Sequence, residues 1–108
     1  MVDFEPTLGS EAARARPAVV VSNDGANIAA VRSGRGVITV VPLTTNTERV
    51  FSFQALIPSG QSGLEHDGKA MAEQVRAVSV ARMGRVIATL PEPLMERADS
   101  ALRLHLSL

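Results

Sequence analysis

A chain of 108 residues has room for one domain rather than two. Eleven basic and eleven acidic residues cancel to a formal charge of zero, without the overall basic excess usual in a nucleic-acid binder. With no cysteine, disulfides and thiolate metal sites are excluded. Apolar residues make up 45% but aromatics only 3%, so Val, Ala, Leu and Ile must fill the core. No apolar run reaches the roughly 20 residues of a membrane-spanning helix. The opening Met1–Glu5 carries two acids and no basic stretch, so no secretory leader is expected and the cytoplasm is the expected compartment. The charges are unevenly spread. Between Ala12 and Thr47 stand Arg14, Arg16, Arg32 and Arg35 against Asp24 alone before Thr47, while Glu65, Asp67, Glu73, Glu92, Glu96 and Asp99 gather later. That distribution fits a local basic patch as well as it fits arginines scattered over a solvated surface.

In chain order, Pro17–Ser22 is a short β-branched run closed by the turn residues Asn23-Asp24-Gly25. Gly36–Val41 is a second strand, which Pro42 is expected to stop. Val50–Ile57 is a third, with Phe51, Phe53 and Ala55 alternating along it. Continuous apolar runs of this length suit strands buried on both faces. Gln61–Asp67 is polar and Gly-containing and reads as a loop. Lys69–Val80 reads as a short strand, one helical turn and another strand. Gly84–Leu90 is a further strand. Pro91-Glu92-Pro93 suits a helix start, with an acid at the favourable end of the dipole. Leu94, Ala98, Ala101, Leu102 and His105 then recur at helical spacing, with Glu96, Arg97, Asp99 and Arg103 elsewhere on the wheel. The expectation is a single domain over 1–108: mostly β with a C-terminal α-helix, built as a small barrel.

Residue chemistry alone leaves the function open. The two histidines invite a test for paired acid–base work. His105 reads as a packed or interface residue on the helix face, and His66, between Glu65 and Asp67, reads as a solvated loop residue. Neither has metal-ligand spacing, and nothing completes a cation site around Glu65 and Asp67. Gly34-Arg35-Gly36 is too short for a nucleotide fingerprint.

Three segments carry a resemblance. Val2-Asp3-Phe4-Glu5-Pro6-Thr7-Leu8-Gly9-Ser10-Glu11, continuing to Arg16-Pro17 and the apolar Ala18–Asn23, resembles the opening of the MazF/PemK toxins. Those proteins have an acid near the end of strand one, a Pro, Gly-Ser-Glu, a variable gap, and Arg-Pro before an apolar strand. Ile38–Asn46 is similar to their strand that ends in an apolar residue followed by Thr. Ala72-Glu73-Gln74-Val75-Arg76 is similar to their acidic-Gln-apolar-basic segment. The matches stand in order and span nearly the whole chain. The resemblance implies an SH3-like barrel, a homodimer, and cofactor-free, metal-independent, sequence-specific cleavage of single-stranded RNA. It implies a site that uses Arg16 and Thr44, with Ser10 and Glu11 nearby, in a groove lined by both subunits that an antitoxin fills with a disordered acidic segment. Arg16, Thr44 and Glu11 are the expected catalytic residues, and Ser10, Arg14, Arg49 and Gln74 the expected RNA contacts. A gyrase-poisoning toxin of the same fold is the alternative. Ala12 replaces the Gln that many relatives have after Glu11, and Arg14 stands where many have Gly, so a different base sequence is expected. The family's usual basic-Gly-acidic opening with an aromatic is missing before Met1, so the first strand is expected to be truncated.

That chemistry is physically coherent. Cleavage through the 2′-hydroxyl requires proton removal, stabilisation of a phosphorane and protonation of the 5′-oxygen. Guanidinium is planar, permanently charged and able to hold two phosphoryl oxygens, which suits Arg16 to transition-state stabilisation. A guanidinium does not give up its proton in proteins, which makes it a poor general base. Pro17 biases Arg16 toward an extended backbone. Thr44 Oγ can donate to a non-bridging oxygen. Glu11 can accept the 2′-hydroxyl proton or bind a base edge, and the sequence leaves both open. With three phenylalanines in all, base recognition is expected to lean on hydrogen bonds and on Arg14 and Arg49.

Overall fold

The computed structural model describes residues 2–3, 15–84 and 86–108. Their architecture is seven strands and three helices: β1 (Val2–Asp3), β2 (Ala15–Arg16), β3 (Ala18–Val20), α1 (Asp24–Ser33), β4 (Val37–Thr44), β5 (Gln54–Ile57), α2 (Ser59–Ser62), β6 (Gly68–Met71), β7 (Arg76–Ser79) and α3 (Glu92–Leu106), with 3-10 turns at Ala72–Gln74 and Val80–Arg82. β1 and β2 form a two-residue antiparallel ribbon. The main sheet runs β3-β4-β6-β5, with β7 also on β4, and every pairing is antiparallel. The expected mostly-β fold with a C-terminal helix is therefore present. Among the described residues the sheet is open rather than closed into a barrel, and it carries two helices that the sequence reading did not contain.

β4 is the hub. Pro42 was expected to stop it, yet the strand runs on to Thr44. The reason lies in the register. β4 faces β3 along one edge, where Leu43 N–H donates to Pro17 C=O (3.1 Å). On its other edge β7 pairs only up to Val40, and β6 begins only at Leu43. Pro42 falls between these two partners, where a missing N–H breaks no ladder.

Side chains alternate from β4 into two clusters. Val41 and Leu43 join Val19, Ala55, Ile57, Ala70, Ala72, Leu94 and Ala101 beneath α3. Ile38 and Val40 join Ala30 of α1 and Val78 on the other side. Ile38, Val40, Val41, Ile57 and Leu94 are essentially fully buried, each such burial contributing about 1.5–3 kcal/mol. α3 is the helix the sequence announced: Leu94, Ala98 and Ala101 are buried at i, i+4 and i+7. His105, however, is exposed rather than packed on that face.

Three other expectations are corrected. Asn23-Asp24-Gly25 opens α1 instead of a turn. The Ser22 hydroxyl donates to Asn27 Oδ1, Asn27 Nδ2 donates to Ser22 C=O (2.9 Å), and Ala30 docks on β4. These tertiary contacts override a weakly patterned sequence. Gly34 ends the helix with φ 68°, in the left-handed region. Second, the third strand begins at Gln54, because Val50–Phe53 turns: Gln54 N–H donates to Phe51 C=O (2.9 Å) and Phe51 N–H to Gln54 Oε1 (3.1 Å). Third, Gly84 and residues 86–90 form no ladder. They run as irregular chain along Pro17–Val20, passing so close to Gly63 that a Cβ there would stand 3.0 Å from that of Ala88.

Candidate active site

Arg16 and Thr44 stand just past the same end of the β3–β4 pairing: Ala18 pairs with Pro42, and Pro17 C=O accepts from Leu43 N–H, with Arg16 and Thr44 the next residue on each chain. Arg16 is exposed and its backbone belongs to β2, across from Val2. Thr44 is half-buried, and its Oγ1 accepts from Asn46 N–H (3.3 Å), turning the chain away after the strand. That oxygen keeps its own proton to donate, which is what contact with a phosphoryl oxygen needs.

Beside this end of β4 lies a cleft of about 290 Å³, whose walls include Pro17, Thr44, Thr45, Glu65 and His66. Here the structure adds what the sequence reading set aside. His66 and Glu65 stand in the wall of the Thr44 cleft, not in a loop remote from it. The segment is held by Asp67, whose Oδ1 accepts from Ser59 N–H (2.8 Å). That backbone hydrogen bond, reinforced by the Ser59 side chain and by His66 and opposed by slight desolvation, lowers the Asp67 carboxyl below its ordinary pKa. The only sequence hint was the acid–His–acid triplet itself, which is silent about direction.

The remaining candidates fall elsewhere or outside view. Ser10, Glu11 and Arg14 lie outside the described residues. Arg49 is exposed in the β4–β5 turn, its guanidinium 5.5 Å above the Phe51 ring, which stacks on Phe53 at 5.3 Å. Phe51 is thus a surface ring at 44% exposure rather than a strand residue in the core. Gln74 is exposed on the 3-10 turn after β6, its Nε2 near Met71 Sδ (3.7 Å). Its neighbour Glu73 accepts from the buried Gln54 Nε2 (2.8 Å), while Glu73 Oε1 is buried with no partner among the described residues. Lys69, unremarked in the sequence, is 8% exposed. It pairs with Thr44 across β4–β6, and its Nζ donates to Arg49 C=O (2.6 Å). No group of three or more potential metal ligands occurs among the described residues.

Residues 1–106 match the family described as PemK-like, MazF-like toxins of type II toxin–antitoxin systems. The chain belongs to that family. Among relatives of this PemK/MazF chain, Endoribonuclease MazF9 of Mycobacterium tuberculosis is 50% identical over 107 residues, 99% of this chain and 91% of the relative. Endoribonuclease EndoA of Bacillus subtilis is 30% identical, covering 98% and 88%. The fold agrees with that of solved PemK/MazF structures. An endoribonuclease in complex with its cognate antitoxin, from a mycobacterial species, superposes with a TM-score of 0.71 at 23% identity, over 92% of this chain and 87% of that one. MazF from Deinococcus radiodurans gives 0.69 at 23% identity, over 99% and 90%. The relatives just named are endoribonucleases, and none of these likenesses favours the gyrase-poisoning alternative.

Proposed function

We propose that this PemK/MazF toxin is an endoribonuclease that cleaves single-stranded RNA at a short sequence, without a metal, by attack of the 2′-hydroxyl on the adjoining phosphate. The observation that supports the reading is that the β3–β4 pairing ends next to both Arg16, a permanently charged guanidinium, and Thr44, a hydroxyl donor in the wall of a cleft. Arg16 stabilises the phosphorane and Thr44 donates to a non-bridging oxygen. Proton transfer has two candidates: Glu11, on the family pattern, and His66, an imidazole, from its place in the cleft wall. Glu11→Ala and His66→Ala, measured separately, assign the role to whichever abolishes cleavage. Arg49 supplies a stacked cation for bases leaving the cleft, with Ser10, Arg14 and Gln74 as further RNA contacts.

The partners on this reading are RNA, a cognate antitoxin with a disordered acidic segment, and a second copy of the chain. Exposed Val50, Phe51 and Leu56 give that copy apolar surface to cover. The compartment is the cytoplasm. Among the described residues, no helix is long and apolar enough to cross a membrane. The test is incubation of the purified chain with single-stranded RNA in EDTA. Cleavage to fragments with a cyclic phosphate and a 5′-hydroxyl is expected. RNA retained intact means a binding module, and RNA neither bound nor cut returns the gyrase alternative.

A further inference from the structure

A buried lysine is costly unless its charge is met. Lys69 lies in β6 between Thr44 of β4 and Leu56 of β5, paired directly with both, and is 8% exposed. Directly paired residues share a face, with Cβ atoms roughly 5 Å apart, so Lys69 stands on the same face as Thr44. Its ammonium has three N–H donors. Among the described residues one of these is used, by the neutral Arg49 C=O, and no carboxylate pairs with it. Glu65, in the cleft wall, makes no ion pair with it, and neither does Glu73, whose Oε2 accepts from Gln54 Nε2. Among the described residues, the face that carries Thr44 therefore also holds a sheltered cation with donors to spare, while the other edge of β4 is lined by β3, entered through Arg16 and Pro17.

Resting on the RNA-cleaving reading, we infer that Lys69 is a second phosphate-binding residue, holding a backbone phosphate of the RNA next to the one that Arg16 and Thr44 engage. The fold pre-forms this subsite. The strand pair fixes the Lys69 backbone, and the bond to Arg49 C=O fixes its head while drawing the Arg49–Phe51 turn down beside it. One anchor thus aligns the phosphate position with the base-stacking turn. An anionic oxygen arriving there completes hydrogen bonds that the described residues leave open, and the low surrounding dielectric strengthens the attraction.

The test uses the full chain, a 2′-O-methylated single-stranded RNA oligomer of mixed sequence that cannot be cleaved, and the variants Lys69→Met and Lys69→Gln. For single strands, log K falls with log salt by about 0.7 per phosphate neutralised. Both variants are expected to melt at or above the parental temperature, because a buried charge has been removed. Both should bind the oligomer more weakly, with a salt slope shallower by about 0.7. Gln keeps an N–H for Arg49 C=O but no charge. A Gln variant with the parental slope would mean that the tether alone matters and would overturn the proposal, as would a Met variant with parental slope and affinity. Loss of affinity for an oligoglutamate peptide with the RNA slope unchanged would also overturn it, in favour of a peptide carboxylate. A parental chain that binds the oligomer but cuts no unmodified RNA removes the cleavage reading and leaves the slope to decide on Lys69. A parental chain that binds no RNA removes both.

Discussion

The two ends of β4 do opposite things with the same strand geometry. From Ile38 to Val41 side chains alternate into two apolar clusters, so both faces are covered, one by α3 and one by α1. Beyond Leu43 the cover ends. Thr44 is half-buried, Thr45 and Asn46 are exposed, and Thr44 is paired with Lys69 on one edge while the β3 pairing on the other edge has ended. A rigid, doubly covered half holds a half whose side chains are free to meet a ligand, which is how a small domain positions a site with precision.

Substitutions can break or sharpen that contrast. The largest effect is expected at the open end. Arg16→Ala should lower RNA cleavage on the order of hundredfold or more while leaving the melting curve unchanged, since Arg16 is exposed. A folded variant that cuts at near the parental rate would dismiss the site. Thr44→Ala removes one neutral donor, worth about 1 kcal/mol, so cleavage should slow by about fivefold, read in single-turnover assays. At the covered end the sign of the contrast reverses. Ile38→Val should cost about 0.5–1.5 kcal/mol in denaturant unfolding, with the cleavage rate per folded molecule unaltered. A rate change there would mean that the two halves are coupled.

The smallest effect concerns the loop that brings His66 to the cleft. The Ser59 N–H holds the Asp67 carboxyl below its ordinary pKa. The folded pKa is therefore below the unfolded one, near ~3.9. The stabilisation is present above that pH and fades as pH falls through the folded value. Asp67→Asn should accordingly melt slightly lower than the parent at pH 6, with the gap closing at pH values well below 4. A gap constant with pH would show that the charge plays no part.

Legibility followed the range of the interactions. α3 was readable because its buried positions repeat at helical spacing and its start is marked by two prolines. The strand–turn–strand over Lys69–Val80 was readable because short apolar runs flank one helical turn. α1 was not, since Ala30 reaches the core only through docking on β4, and Asn23-Asp24-Gly25 locally favours a turn. Gly84–Leu90 has a strand's composition, but composition cannot say whether an edge waits to receive it. Arg16 and Thr44 were reached through the family pattern, while His66 reads from sequence as a solvated loop residue and Lys69 draws no notice, because neither carries a motif.

By itself, then, the sequence determined the family, the β-rich class and the closing helix. These depend on local periodicity and on short motifs, which are written in neighbouring residues. The tertiary structure alone decided that Pro42 could lie inside a strand, that Phe51 would face solvent, that His66 would reach the Thr44 cleft, and that a lysine would be sheltered beside Thr44. Each of those depends on which strand lies alongside which, and in what register. That choice is made by burying Ile38, Val41, Ile57 and Leu94 together, a non-directional gain spread over the whole chain that no short stretch of it can encode.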